Sequence, residues 1–359
     1  MFKIFFPISG LFFDPFLIFS TGLFGGFVSG FLGLGCGVII TPFLMELGIP
    51  PLMAVSTQLC HAVGTNLSSF LSYNRKKDVD FQLVLFILMG GILGASCEWI
   101  TLKFSHSSRV VVNKFAYIYI ITLIIFGIIM MIQSIKVFIH RSNSGYNVSV
   151  MMRRWMLYIP FHKIFRRSRA EMSCLVPIFV GFLAGLIVAS LGGGNNLFMA
   201  PIITYLIGRI SPVVYGTTSL AGCFITSIVV LVYAESGYYC DFLFVLFLFA
   251  GASIGSFIGV RLTYNIKRHY INAISSIVVF IMASRLAFKT FGSSSYQSSQ
   301  KIMMESPKSK MFEFANGNVI LYTILCIIMI CVVAISVEKL LQSFSEKRIQ
   351  NKENRGMKK

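Results

Sequence analysis

Charged residues are scarce in this sequence, and acidic ones are the scarcest. Only 12% of the 359 residues are charged, with 13 acidic against 31 basic side chains, whereas 56% are hydrophobic. The mean hydropathy is +0.79. A soluble globular domain carries about 25% charged residues, so this composition excludes one. Water cannot be the main solvent of the chain.

Long polar stretches are missing as well. A helix needs roughly 20 apolar residues to cross a bilayer, and segments of that length recur along the whole chain, which excludes a single membrane anchor. The apolar segments cover approximately residues 16–47, 54–73, 81–102, 115–139, 173–207, 213–234, 242–264, 271–291 and 318–341. The sequence therefore predicts an all-α, multi-pass membrane protein.

Motifs of metal, cofactor and catalytic sites are not found. The eight cysteines form no Cys-x-x-Cys pair, there is no His-Glu-x-x-His motif, and no Walker lysine follows a glycine cluster. We predict no metal, no cofactor and no enzymatic activity. A membrane-embedded enzyme and a non-transporting membrane scaffold remain the alternatives to a transporter.

The excess of basic residues lies in short links and tails, where it orients a membrane protein and contacts lipid headgroups. We therefore expect membrane lipids, and no nucleic acid, as partners, and a location in the cytoplasmic (inner) membrane. The sequence leaves open a homo-oligomer. The expected divisions are a first repeat at 1–139, a basic cytoplasmic link at 140–172, a second repeat at 173–291, a Ser-rich link at 292–317, a C-terminal span at 318–341 and a charged cytoplasmic tail at 342–359.

The two halves of the chain are related in sequence. Adding 161 to a residue number takes Pro51 to Pro212, Thr57 to Thr218, Asp80 to Asp241, Gly90 to Gly251 and Gly94 to Gly255. The basic loop at 75–77 corresponds to an uncharged loop at 236–238. Because equivalent loops of inverted repeats differ in charge bias, we favour two inverted repeats, each with a glycine-interrupted membrane helix.

Each half contains a dense glycine cluster in an overlong apolar segment. The clusters consist of Gly33, Gly35 and Gly37, and of Gly192, Gly193 and Gly194 followed by Asn195 and Asn196. Such clusters interrupt a helix and leave backbone groups unpaired, which in a membrane is tolerated only in contact with protein, water or substrate. Equivalent breaks in two repeats indicate a substrate site near the midplane. The spacings Gly26–Gly30 and Gly181–Gly185 indicate close helix packing instead.

Polar residues follow each cluster. Thr57, Gln58 and His61 lie in the first half, and Thr218 and Ser219 at the corresponding place in the second. The hydroxyl and amide side chains either face an anion or bond to carbonyl groups of their own helix, and His61 either serves the site or makes an interhelical hydrogen bond. Glu98 lies near the end of its segment, where we expect it to extend toward the membrane surface.

These motifs resemble the sulfite exporter TauE/SafE family of membrane permeases. The resemblance rests on the first glycine cluster, the Val-Ile-Ile-Thr-Pro stretch that ends at Pro42, the link that ends at Pro51, the Ala-Val-Ser-Thr stretch that ends at Thr57, and the weaker second copy. It covers residues 20–290. Cys36 interrupts the first glycine triplet, which is a departure from the family pattern.

The resemblance implies transport of small anions, particularly sulfur oxyanions such as sulfite or organosulfonates, by alternating access. The expected substrate-binding residues are those of the two clusters and their polar companions. An inside-negative membrane potential favours the outward movement of each negative charge by a free energy of about 2.3 kcal/mol per 100 mV. Export driven by this potential needs no proton relay.

Overall fold

Helices make up most of the structure, a computed structural model. It describes residues 4–6, 11–32, 35–75, 77–105, 117, 119–125, 127–128, 131–132, 135, 162–165, 167, 170–193, 199, 202–203, 212–263, 268–292 and 315–356. The helices are α1 Pro15–Leu32, α2 Gly37–Glu46, α3 Pro51–Arg75, α4 Phe81–Ser105, α5 Leu175–Leu191, α6 Pro212–Glu235, α7 Phe242–Thr263, α8 Arg268–Gly292 and α9 Val319–Gly356. The described residues from 117 to 135 are also helical.

Four of the described helices are long and apolar enough to cross a membrane. They contain Phe81–Lys103, Val213–Glu235, Phe242–Val260 and Val319–Leu340. Shorter apolar stretches lie at Pro15–Phe31, Gly37–Glu46, Leu175–Leu191 and Ser276–Phe288. The predicted helical, multi-pass membrane protein is confirmed.

The first overlong segment is a pair of helices that fold back on each other. Gly35 has φ of +78°, a conformation that side chains with a Cβ rarely adopt, and α2 begins two residues later. A methyl group on Gly25 of α1 would lie 2.6 Å from Cγ1 of Ile40 in α2. With 10 residues, α2 is about 15 Å long, half the thickness of the hydrocarbon core. It therefore cannot complete a crossing.

Two helix pairs pack closely along rows of glycine. Gly26 and Gly30 of α1 face Ala252 and Ser256 of α7, so both residue numbers rise together and the two helices run parallel. Gly90 and Gly94 of α4 likewise face Ile178 and Phe182 of α5. In lipid, such small residues let backbones approach closely, as predicted for Gly26–Gly30 and Gly181–Gly185.

At the centre of the bundle, α3 packs against α6 in the opposite direction. The rings of Tyr73 and Tyr215 stack with centroids 6.4 Å apart, whereas the Cys223 thiol lies 3.9 Å from the Val63 carbonyl. Residue numbers thus rise along one helix as they fall along the other. These two helices are equivalent under the offset of 161.

Two short β-hairpins, which hydropathy did not predict, precede α1 and α5. Strand β1 (Ile4–Phe6) pairs with β2 (Leu11–Phe13), and β3 (His162–Phe165) with β4 (Ala170–Ser173), each antiparallel. The second hairpin begins within the stretch 140–172 that we expected to be only a link, and it ends at Ser173. Phe6 contacts Phe244 of α7, and Phe165 contacts Phe86 of α4. Hairpin β1–β2 therefore packs on α7, which α1 also contacts, and hairpin β3–β4 packs on α4, which α5 also contacts.

The last helix, α9, lies against α3, the helix that carries the predicted polar residues. The Ser68 hydroxyl donates to the Glu338 carboxylate at 3.0 Å. The helix continues to Gly356, and so includes most of the stretch expected as a charged tail.

Asp80 closes the N-terminus of α4, and its removal offers a test of local stability. Its Oδ1 accepts from the backbone N–H groups of Gln82 and Leu83 at 3.2 and 3.3 Å. We expect Asp80→Ala to lower the free energy of unfolding by about 1 kcal/mol, because those donors lose their cap. Asp80→Asn keeps an oxygen acceptor and should retain most of the stability. Denaturant unfolding in detergent measures both variants.

Candidate functional site

The start of α2 and the end of α5 meet inside the protein. A methyl group on Gly37, at the start of α2, would lie 3.1 Å from the Gly192 carbonyl oxygen and 3.1 Å from Cα of Gly193. Gly192 and Gly193 follow the last residue of α5 and have φ of +72° and +135°. The glycine clusters of the two halves are therefore in direct contact.

Backbone N–H groups and side chains from α2 and α6 satisfy the carbonyl groups at the C-terminal end of α5. The N–H groups of Gly192 and Gly193 both donate to the Val188 carbonyl. The Tyr233 hydroxyl of α6 donates to the Ala189 carbonyl at 2.8 Å, and the Thr41 hydroxyl of α2 to that of Leu191 at 3.3 Å. A helix end buried in a membrane protein needs such partners.

The start of α2 is left without a corresponding side-chain cap. Its N-cap residue, Cys36, makes no side-chain hydrogen bond to the helix. The Ile39 and Ile40 N–H groups donate to the Cys36 carbonyl. The first amides of α2 therefore lie at the positive end of the helix dipole, next to the α5 glycines, and this arrangement favours an anion.

A face of α3 closes the site from the third side. A methyl group on Gly193 would lie 3.7 Å from Cα of Gly37 and 3.8 Å from Nε2 of Gln58. Gln58 and His61 have no exposed surface, and their Nε2 and Nδ1 atoms lie 3.3 Å apart. The ring of His61 meets that of Phe249 edge-on at 5.9 Å. Gly193 thus lies between the start of α2 and the amide of Gln58.

Three enclosed polar atoms of α3 have no hydrogen-bond partner within the part of the chain that the structure describes. They are Oγ of Ser56, Oε1 of Gln58 and Nε2 of His61. Leaving such an atom unpaired costs about 1–3 kcal/mol, and most buried polar groups in native proteins are paired. Two of the three atoms belong to residues predicted to bind the substrate.

The tautomer of His61 is coupled to its contact with Gln58. In the tautomer in which the Gln58 amide nitrogen donates to Nδ1, the proton of a neutral His61 ring lies on Nε2. The site then presents an N–H donor at His61 and an oxygen acceptor at Gln58 Oε1. Neither atom has a partner among the described residues.

In the second half, the hydroxyl groups bond to their own helix. The Thr218 hydroxyl donates to the Tyr215 carbonyl at 3.1 Å, and Thr217 donates to Val213. Thr218 therefore bonds to a carbonyl group of its own helix in the structure. Ser219 is buried and makes interactions of its own.

The predicted site residues are thus only partly brought together. Gly37, Gly192, Gly193, Gln58 and His61 converge. Gly35 forms the turn before α2, and Thr57 is buried next to Gln58. The predictions for Gly33, Gly194, Asn195 and Asn196 lie outside the described residues.

The start of α2 at Gly37 and the end of α5 at Gly192 and Gly193 form two glycine tips, one from each half. Sequence reasoning missed the residues that hold these two tips in place. Thr41 and Tyr233 donate to α5, and the Tyr119 hydroxyl lies 3.5 Å from the Gly37 carbonyl. A tyrosine within an apolar segment is a signal that could have identified Tyr119, because a buried hydroxyl requires a partner. Within the described ranges, no group of three or more His, Cys, Asp and Glu residues could hold a metal ion.

A basic depression opens at the turn between α3 and α4. It has a volume of about 700 Å³ and is lined by Asn74, Lys77, Val79, Asp80, Phe81, Gln82 and Arg167. The Arg167 side chain donates through Nε to the Lys77 carbonyl at 2.9 Å, which joins the β3–β4 loop to this turn.

Interrupted helices that meet around enclosed polar groups, within a bundle of apolar spans, are typical of membrane transporters. Comparison with known families agrees with this class. The chain belongs to the sulfite exporter TauE/SafE family, whose profile matches residues 18–286. The match includes both interrupted helices and ends before α9.

Curated relatives carry transporter names. The chain is 26% identical over 272 residues to the probable membrane transporter protein YjnA of Bacillus subtilis (strain 168), covering 75% of this chain and 98% of that protein. It is 25% identical over 281 residues to the probable membrane transporter protein YunE of the same organism, covering 76% and 97%. No solved structure matches the chain. The protein is therefore a membrane transporter of this family rather than an enzyme.

Proposed function

We propose that this transporter exports small anions, with sulfur oxyanions such as sulfite and organosulfonates as its substrates. The observation that carries the proposal is the convergence of the uncapped start of α2 with Gln58 and His61 around Gly193. The start of a half-helix at membrane depth is a recognised way to hold an anionic group.

The donor and acceptor pattern fits an oxyanion. The backbone N–H groups of α2 that precede Ile39 and the Nε2–H group of His61 would donate, and oxygen atoms of sulfite or a sulfonate would accept. Oε1 of Gln58 is an acceptor and suits the proton that hydrogensulfite carries. The oxyanion would supply the partners that these buried atoms otherwise lack.

Alternating access of two inverted repeats is the proposed mechanism. The helix directions support it. The equivalent helices α3 and α6 run antiparallel, as inverted repeats require. Helix α4, which follows α3, runs parallel to α6, because Asp80 contacts Thr217 and a methyl group on Gly91 would contact Ile225. Rocking of one half against the other would expose the glycine contact to alternate sides.

The charge distribution supports an orientation in the cytoplasmic membrane. Arg75 at the end of α3, Arg268 at the start of α8 and the charged end of α9 lie at the same end of the bundle, together with the depression near Arg167. Basic residues concentrate on the cytoplasmic side of membrane proteins. In this orientation, the depression attracts anions to the cytoplasmic mouth, and membrane potential drives their export.

A flux assay with a panel of anions tests the proposal. Purified protein in liposomes is given a potassium–valinomycin potential, and release of sulfite, an organosulfonate, thiosulfate and chloride is measured. We expect release of at least one sulfur oxyanion to exceed that from protein-free liposomes by about tenfold or more, and chloride release to remain near background. Equal release with and without protein for every anion would contradict the proposal and favour a scaffold.

A further inference from the structure

Glu98 is a buried carboxyl group that the proposed transport site does not use. We expected it to extend to the membrane surface, but only 7% of it is exposed. That prediction is wrong because Glu98 lies on the face of α4 that packs against α5. Ionisable side chains buried in membrane spans are costly and are functional candidates by default.

Glu98 occupies a place that glycine takes in the other half. The offset of 161 matches Gly90, Gly94 and Glu98 in α4 with Gly251, Gly255 and Gly259 in α7. A methyl group on any of these five glycines would contact the backbone of the parallel neighbour. The glycine row of α7 thus ends with Gly259, whereas the corresponding row of α4 ends with the carboxyl group of Glu98.

The helix register brings this carboxyl group close to the glycine tip. A methyl group on Gly94 would lie 2.5 Å from the Phe182 carbonyl oxygen and 2.9 Å from the Leu186 nitrogen. One turn further along these parallel helices, Glu98 lies beside Leu186–Ser190. The helix α5 ends one residue later, and Gly192 and Gly193 follow.

The surroundings of Glu98 offer no cation among the described residues. Helix α5 has no titratable side chain. From α6, Tyr233 is close enough to interact electrostatically with Glu98, and its hydroxyl donates to Ala189. On α4 itself, the Thr101 hydroxyl hydrogen-bonds the Glu98 carboxyl group, Cys97 is adjacent, and the Lys103 ammonium lies 4.6 Å from the ring centroid of Trp99. A carboxylate at this place would be desolvated without a compensating charge.

We propose that Glu98 is a proton-binding site whose protonation holds the α5 tip closed against α4 and the substrate site. In the closed arrangement the carboxyl group is neutral and fits between the helices. When the contact opens, water reaches Glu98, which releases its proton to that water and becomes a carboxylate. The carboxylate then disfavours reclosure until a proton returns.

The sign of the pH dependence follows from this linkage. The closed arrangement binds one more proton than the open one, so low pH favours closure and rising pH favours opening. The inference rests on the proposed function for its consequence, a flux that increases with pH. Its structural part, the opening of the α5 tip, can be measured without any substrate.

Hydrogen–deuterium exchange of purified protein in detergent measures this opening over residues 186–193, with flux followed in parallel. After correction for the intrinsic effect of pH, we expect exchange to become at least about tenfold faster between about pH 5 and pH 8. Glu98→Gln, which resembles the protonated form, should keep exchange slow at every pH. Glu98→Gly, which reproduces the residue at Gly259, should also abolish the pH response. Glu338→Gln is the matched control and should behave as the wild type.

Each outcome decides between the proposals. A response that is present in the wild type and absent from both Glu98 variants supports the proton site. A pH-independent wild type, or a response that survives in Glu98→Gln, overturns it. If exchange behaves as expected but no anion is transported at any pH, the proton site stands and the proposed transport function fails.

Discussion

Replacing Gln58 and His61 together by leucine is expected to abolish anion flux and leave the protein at least as stable as the wild type. The double variant removes two buried atoms that lack partners, Gln58 Oε1 and His61 Nε2. Each unpaired atom costs about 1–3 kcal/mol, so their removal offsets the loss of the contact between the two side chains. Flux should fall by about 100-fold or more, because the ligand loses its side-chain donor and acceptor.

Thermal unfolding in detergent and flux in liposomes measure the two effects separately. Thr226→Val is the matched control, because this buried hydroxyl donates to the Gly222 and Cys223 carbonyls of its own helix. It should leave flux unchanged. A double variant that unfolds and is lost from the membrane would assign Gln58 and His61 a structural role.

Two glycine substitutions are expected to separate packing from binding. In Gly30→Ala, the new methyl group would lie 2.5 Å from the Ser256 carbonyl oxygen, so the helices α1 and α7 must separate. We expect a large loss of folded protein, by about 3 kcal/mol in the free energy of unfolding. In Gly37→Ala, the nearest atoms are at 3.1 Å, and the tips need to shift by only a few tenths of an ångström.

The Gly37→Ala variant should therefore fold but transport at least about tenfold more slowly, since the methyl group enters the contact between the two tips. Yield of monodisperse protein and flux per folded molecule are the measurements. Gly317→Ala serves as control, because nothing lies within 4 Å of the added methyl group. Wild-type flux per folded Gly37→Ala molecule would place the substrate elsewhere.

Much of the helical framework can be predicted from hydropathy, because each span must present apolar side chains to lipid. The predicted segment at 81–102 corresponds to α4, and that at 242–264 to α7. The fold-back of α2 onto α1 could not be derived from hydropathy, since both helices are apolar. The hairpin β3–β4 was missed for a different reason: its basic sequence resembles that of a loop, and its stability comes from contacts such as Phe165–Phe86.

The candidate site was predictable where its residues repeat. Gly37 and Gly192 stood out as matched clusters, and His61 as an ionisable residue in a span. Thr218 was indistinguishable from Thr57 by pattern, because the choice of a helix carbonyl as its partner depends on local geometry. Tyr233 and Glu98 reach the tip only through the packing of α4, α5 and α6, which sequence spacing does not encode.

We call the site formed by the glycine tips of α2 and α5 with Gln58 and His61 of α3 the composite site. Its most direct test compares sulfite flux through wild-type protein and the Gln58→Leu/His61→Leu variant, reconstituted at equal density and held at the same potential. We predict potential-driven sulfite release through the wild type and release within about twofold of protein-free liposomes for the variant. Equal sulfite flux through both proteins would contradict the composite site, because the anion would then cross without the groups that α3 presents to the glycine tips.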